Sequence, residues 1–82
     1  MQLLNERAKT HGNYSDTAKT SQKLKELFRY HAFANKFTPE QVESLDMIAA
    51  KLARIMHGNA HEPDHWRDIA GYALLAIGEP TP

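Results

Sequence analysis

Thr38-Pro39-Glu40-Gln41 constrains this chain more than any other stretch of its 82 residues. A hydroxyl side chain, a proline next to it and a glutamine two residues further read as N-cap, first helical position and capping-box partner. Phe37 and Val42 stand where a hydrophobic staple would close the same turn. A helix has to begin here, and its phase is set. Leu45, Ile48, Ala49, Leu52, Ile55 and Met56 then follow as one apolar stripe, and His57-Gly58-Asn59 ends the pattern, giving a helix over 39–57.

The rest of the chain falls into place around that helix. Pro63 fits the first turn of a helix over 63–77, closed by Gly78 and Pro80. Upstream, Ser15 can cap a helix over 15–32, whose seam is Thr17, Thr20, Ser21, Leu24, Leu27, Phe28 and His31. That seam is hydroxyl-bearing in its first half and apolar in its second. A short helix over 2–10 should end near His11-Gly12, with Gly12 as a left-handed cap. No strand, repeat or low-complexity tract is evident. The expectation is a single all-α domain over 1–82, a small helical bundle of three long helices plus a short N-terminal one.

A domain this small buries only roughly 60% of its unfolded surface, so its core is thin. In the last helix Trp66, Ile69, Ala70, Ala73 and Ile77 form the expected core face, yet Gly71, Tyr72 and Leu75 add apolar character elsewhere. A second subunit is the natural cover. The expectation is a homodimer or higher homo-oligomer with Gly71, Tyr72 and Leu75 in the interface and Gly71 as a close-approach point.

With no cysteine there is no disulfide framework and no thiolate chemistry. No apolar stretch reaches the roughly 20 residues of a membrane helix. MQLLNERAKTHG lacks an apolar signal core, so a cytoplasmic setting is expected and no membrane partner. Zero net charge argues against an extended nucleic-acid surface. The charge is unevenly spread: residues 1–36 hold seven Lys or Arg against three Asp or Glu, and residues 37–82 hold three against seven. Either a basic helix packs across acidic ones, or acidic helices hold metal while basic groups hold phosphate.

Two acidic pairs, Glu43/Asp46 and Asp64/Asp68, share helix faces at i,i+3 and i,i+4. Glu40, Glu43, Glu62 and Asp64 lie near helix N-termini, where the dipole explains them. Asp46 and Asp68 sit deeper, without a Lys or Arg at i±3 or i±4 on their own helix. A metal ion, a basic helix of the same chain or a second subunit could neutralise them. Mg²⁺, which needs few protein ligands beside its waters, would suit Glu43, Asp46, Asp64 and Asp68. Lys51 and Arg54 are solvated charges or phosphate contacts. His57, His61 and His65 recur every fourth residue, but Gly58 and Pro63 break the helix that would align them, so solvated or capping roles are expected. Arg7, His11 and Tyr14 fit a terminal helix docking on the rest. No nucleophile triad, P-loop or dinucleotide fingerprint is present.

The segments ERAKTHGNY, SLDMIAAKLARIMHGN and DHWRDIAGYALLA resemble a family of small uncharacterised phage and prophage helical proteins. More distantly, the last two are similar to the MazG-like all-α nucleoside triphosphate pyrophosphatases. That likeness implies an oligomer in which acidic residues of two successive helices hold Mg²⁺ and position the triphosphate for water. Carried over, Glu43 and Asp46 match the first acidic helix, Asp64 and Asp68 the second, and Lys51 and Arg54 the phosphate contacts. The acidic set here is sparser: one Glu-x-x-Asp replaces a Glu-Glu-x-x-Glu cluster. Three readings stand open: a Mg²⁺-dependent (d)NTP pyrophosphohydrolase, a non-catalytic module binding a nucleotide or a host protein, and a structural oligomer.

Overall fold

The computed structural model describes residues 8–78, and these are helical nearly throughout, with no strand among them. Three long helices follow in order: α1 (Tyr14–Ala34), α2 (Pro39–His57) and α3 (Pro63–Ile77). The residues ahead of α1, 8–11, form a helical turn closed by Gly12, whose N–H donates to Ala8 O at 2.9 Å with φ at 82°. The start of the short helix expected over 2–10 lies outside the described residues.

The α1 cap is one correction to the sequence reading. Asn13, not Ser15, is the N-cap, with its side chain accepting from Asp16 N at 3.2 Å. Gly12 turns the chain into Asn13 in extended conformation, so the helix starts at Tyr14, a residue earlier than expected. It also runs two residues further, to Ala34. There Phe37 N donates to Ala32 O and Lys36 N to Phe33 O, the 6→1 and 5→2 bonds of a Schellman motif. Lys36 takes the left-handed position at φ 56° that glycine usually fills.

α2 has the predicted bounds and both capping-box bonds: Thr38 Oγ1 accepts from Gln41 N at 3.1 Å, and Gln41 Oε1 accepts from Thr38 N at 2.9 Å. α3 also keeps its predicted bounds, with Glu62 as N-cap and Gly78, at φ 93°, accepting the left-handed C-terminal turn.

α2 is the hub. It packs against both α1 and α3, whereas α1 and α3 do not touch each other among the described residues. The contact lines are built from small side chains: Ala32, Ala49 and Ala53 are buried, with Thr17, Ser21, Ser44 and His65. Small residues let helix axes approach closely, and the larger side chains then flank the contact. Among the described residues no large side chain is fully buried. The expected stripes are therefore only partly interior. Leu45, Ile48, Leu52 and Ile55 are half-buried, and Leu27, His31 and Met56 are exposed. The core face assigned to the last helix is corrected further: Trp66, Ala70, Ala73 and Ile77 all face out. His65, Ile69, Tyr72 and Ala76 lie on the side turned to α2 instead.

A backbone crossing ties residues 8–12 to the α2–α3 connection. A Cβ on Gly12 would collide with the His57 carbonyl, and one on Gly58 with Thr10 O. Thr10 O accepts from Asn59 N at 3.0 Å and lies 3.1 Å from His65 Nε2. His57 Nε2 meets Thr20 Oγ1 at 2.6 Å, and the His11 and His65 rings pack 5.3 Å apart. Of the three spaced histidines, His61 and His57 are exposed as expected, His57 also meeting Thr20, whereas His65 is buried at this crossing. Of the residues expected to dock the terminal helix, His11 does so, Tyr14 is exposed and Arg7 lies outside the described residues.

Candidate functional site

Asp46 on α2 faces Arg29 on α1, with Nη2 to Oδ1 at 3.9 Å. Asp68 on α3 is held by Lys51 on α2 at 3.0 Å, and Asp64 by Arg67 one turn on at 3.2 Å. Glu43 is exposed. The charge asymmetry along the chain is thus met largely from within: Arg29 of the basic first half reaches the acidic second, and Lys51 bridges α2 to α3. Among the described residues no group of three or more His, Asp or Glu side chains is placed to hold a metal ion.

The Lys51 hydrogen bond draws the Asp68 carboxyl below its ordinary value, partial desolvation opposes it, and the charges of Lys51, His65 and Arg54 add to the lowering. Lys51 is therefore committed to Asp68 rather than offered to a phosphate. Asp46 is less well served. Its Oδ1 is buried and has no hydrogen-bond partner, and 3.9 Å to a half-exposed guanidinium is an ion pair without a hydrogen bond.

Arg54, the other phosphate candidate, is placed differently. It lines a cleft of about 590 Å³ between the start of α1 and the middle of α2. That volume lies in the range of small-molecule sites. Thr17, Ser21 and Gln22 of α1 and Ala50 of α2 form part of the wall, Lys25 and Arg54 bring positive charge, and His11 and Tyr14 also line it. Among the described residues no acidic side chain lines it, and neither Lys25 nor Arg54 takes part in an ion pair. Two half-buried cations without an ion pair among the described residues, beside hydroxyl and amide groups, make an anion-binding surface.

Sequence reasoning named Arg54 but missed Lys25. The available signal was the α1 seam: Thr17, Ser21 and Lys25 follow at i,i+4 spacing on one face, where a core helix would carry apolar groups. Opposite them α2 presents Ala50, and short side chains on both helices leave a gap rather than a packed contact. Gly71, Tyr72 and Leu75 line a shallower hollow with Arg67 and Asp68, and a Cβ on Gly71 would meet nothing within 4 Å.

Fold and cleft together define a small all-helical domain with a basic ligand-sized cavity between two helices. The chain belongs to the family described as a domain of unknown function, DUF6378, whose model matches residues 2–79. No curated protein and no solved structure matches it significantly. Among the described residues, no helix is long and apolar enough to cross a membrane.

Proposed function

We propose that this protein is a binding module for a phosphate-bearing small molecule, taken up in the cleft between α1 and α2. The observation that carries the reading is the pairing of Lys25 and Arg54 in a cleft whose described lining residues include no carboxylate. The likeness to MazG-like enzymes makes a nucleotide the ligand class, with its phosphates at Lys25 and Arg54. The exposed Tyr14 ring, which also lines the cleft, offers a stacking surface for a base.

Hydrolysis with Mg²⁺ is the second reading. It draws on Asp46 Oδ1, the one buried acidic oxygen among the described residues without a hydrogen bond. The ion pairs at Asp46, Asp64 and Asp68 weigh against it, since a metal would have to displace Arg29, Arg67 or Lys51.

A melting screen separates the two. Pyrophosphate and nucleoside triphosphates, without metal, should raise the melting temperature. A ligand at a hundred times its Kd contributes about 2.7 kcal/mol, on the order of 10 °C for a domain of this size. Arg54→Ala and Lys25→Ala should each weaken binding about tenfold or more, the worth of one charge-assisted contact. Glu43→Gln should leave it unchanged. A shift that requires Mg²⁺ and disappears in Asp46→Asn, with pyrophosphate released, would replace the binding reading with the hydrolytic one. If neither ligand shifts the melting curve, both fail and a protein partner takes the lead.

A further inference from the structure

The outward face of α3 is as apolar as the face turned to α2. At about 100° per residue, Trp66, Ala70, Ala73 and Ile77 fall within about 60° of one another. Their stripe lies about 100° round from the side occupied by His65, Ile69, Tyr72 and Ala76. Trp66 is 51% exposed and Ile77 70%, and both alanines are exposed. No charged residue falls on the stripe between its two ends.

We infer that this face binds a second copy of the chain, with two α3 helices antiparallel about a two-fold axis between Gly71 and Tyr72. Three observations select that occupant. The first is the stripe's own symmetry. Trp66 and Ile77 stand equally far from the axis, as do Ala70 and Ala73. An antiparallel pair therefore sets Trp66 against the partner's Ile77 and Ala70 against the partner's Ala73. That reciprocity is what an isologous interface requires. The alanines at the centre permit a close approach of the axes, and the large side chains close both ends.

The second observation is the amount of surface. The chain exposes 6136 Å². A compact monomer of its mass would expose about 5,000 Å², so roughly 1,000 Å² is in excess. A dimer of ordinary size covers about 800 Å² per partner.

The third is the incomplete interior. Among the described residues the buried apolar ones are three alanines, and α1 and α3 leave each other uncovered. A cover needed for the folded state itself has to be present wherever the chain is, and another copy meets that condition. Of the interface expected at Gly71, Tyr72 and Leu75, Tyr72 lies on the side turned to α2 and Gly71 and Leu75 on the flank away from the stripe, so the two assignments are separable.

The test is mass in solution, by sedimentation or light scattering across a concentration series. Wild-type protein should weigh twice 9.3 kDa at micromolar concentration. Ala70→Glu and Ala73→Lys, each placed on an exposed position of the protomer, should weaken the dimer at least tenfold by burying an unpaired charge. Mixing the two variants should restore dimers, because the glutamate then faces the lysine. Leu75→Arg, on the other flank, should leave the dimer intact. A monomeric wild type would overturn the inference. So would a dimer that Leu75→Arg dissociates and Ala70→Glu does not, or a mixture that fails to recover. These readouts do not involve the cleft, so they succeed or fail independently of ligand binding.

Discussion

Lys36 and Asp68 show how single residues carry stability in a chain with so little core. Lys36 completes the Schellman turn after α1 in the left-handed region, at φ 56°. A side chain there costs about 1–2 kcal/mol relative to a right-handed conformation, while glycine has no such penalty. Lys36→Gly should therefore raise stability by about 1 kcal/mol, read from denaturant midpoints at unchanged slope. Asp68 titrates below the ordinary 3.8 because Lys51 favours its charged form. A carboxyl depressed in the folded state stabilises above its unfolded value, and that contribution is lost as pH falls through the folded one. Melting temperature should thus decline as pH drops below about 4, and Asp68→Asn should flatten that part of the profile. An equal decline in both proteins would mean that the Lys51 bond contributes nothing.

Among the elements, two glycines make opposite demands. Gly58 sits where the α2–α3 connection meets Thr10, and a Cβ there would strike backbone. Gly71 is in mid-helix with nothing near its Cβ position. Gly58→Ala should destabilise by about 2 kcal/mol or more, since neither backbone can move without breaking the Asn59–Thr10 bond. Gly71→Ala should stabilise by about 0.5–1 kcal/mol through helix propensity alone. The second result also bears on the flank of α3: a loss of stability there would return the interface to Gly71. The spacing pattern alone made both residues look like helix interruptions or close-approach points. Only the crossing of residues 8–12 over the connection separates them.

For the whole molecule the outstanding property is openness. The Cα radius of gyration is 13.8 Å, where a compact chain of this length gives about 12 Å. One hub helix with two neighbours that do not meet leaves apolar faces on the outside, and a partner that covered them would add to the stability of the protomer. If the α3 pair forms, folding is coupled to association, and the melting temperature should rise with protein concentration. A melting temperature constant over a hundredfold range would place all of the stability in the protomer.

The all-helical class, the bounds of α2 and α3 and the capping box were legible in the sequence. Each depends on residues within about four positions of one another, and local rules reach that far. The direction in which α3 faces was not legible: it is apolar on two sides, and periodicity assigns no priority between them. Nor were the partners of Asp46 and Asp68, because Arg29 and Lys51 lie on other helices and only packing brings them near. The cleft is tertiary in the same sense. Thr17, Ser21 and Lys25 look like a weak seam on one helix, and Arg54 looks like a surface charge on another. They become one cavity when α1 and α2 cross with short side chains between them, a distance relation that no stretch of sequence contains.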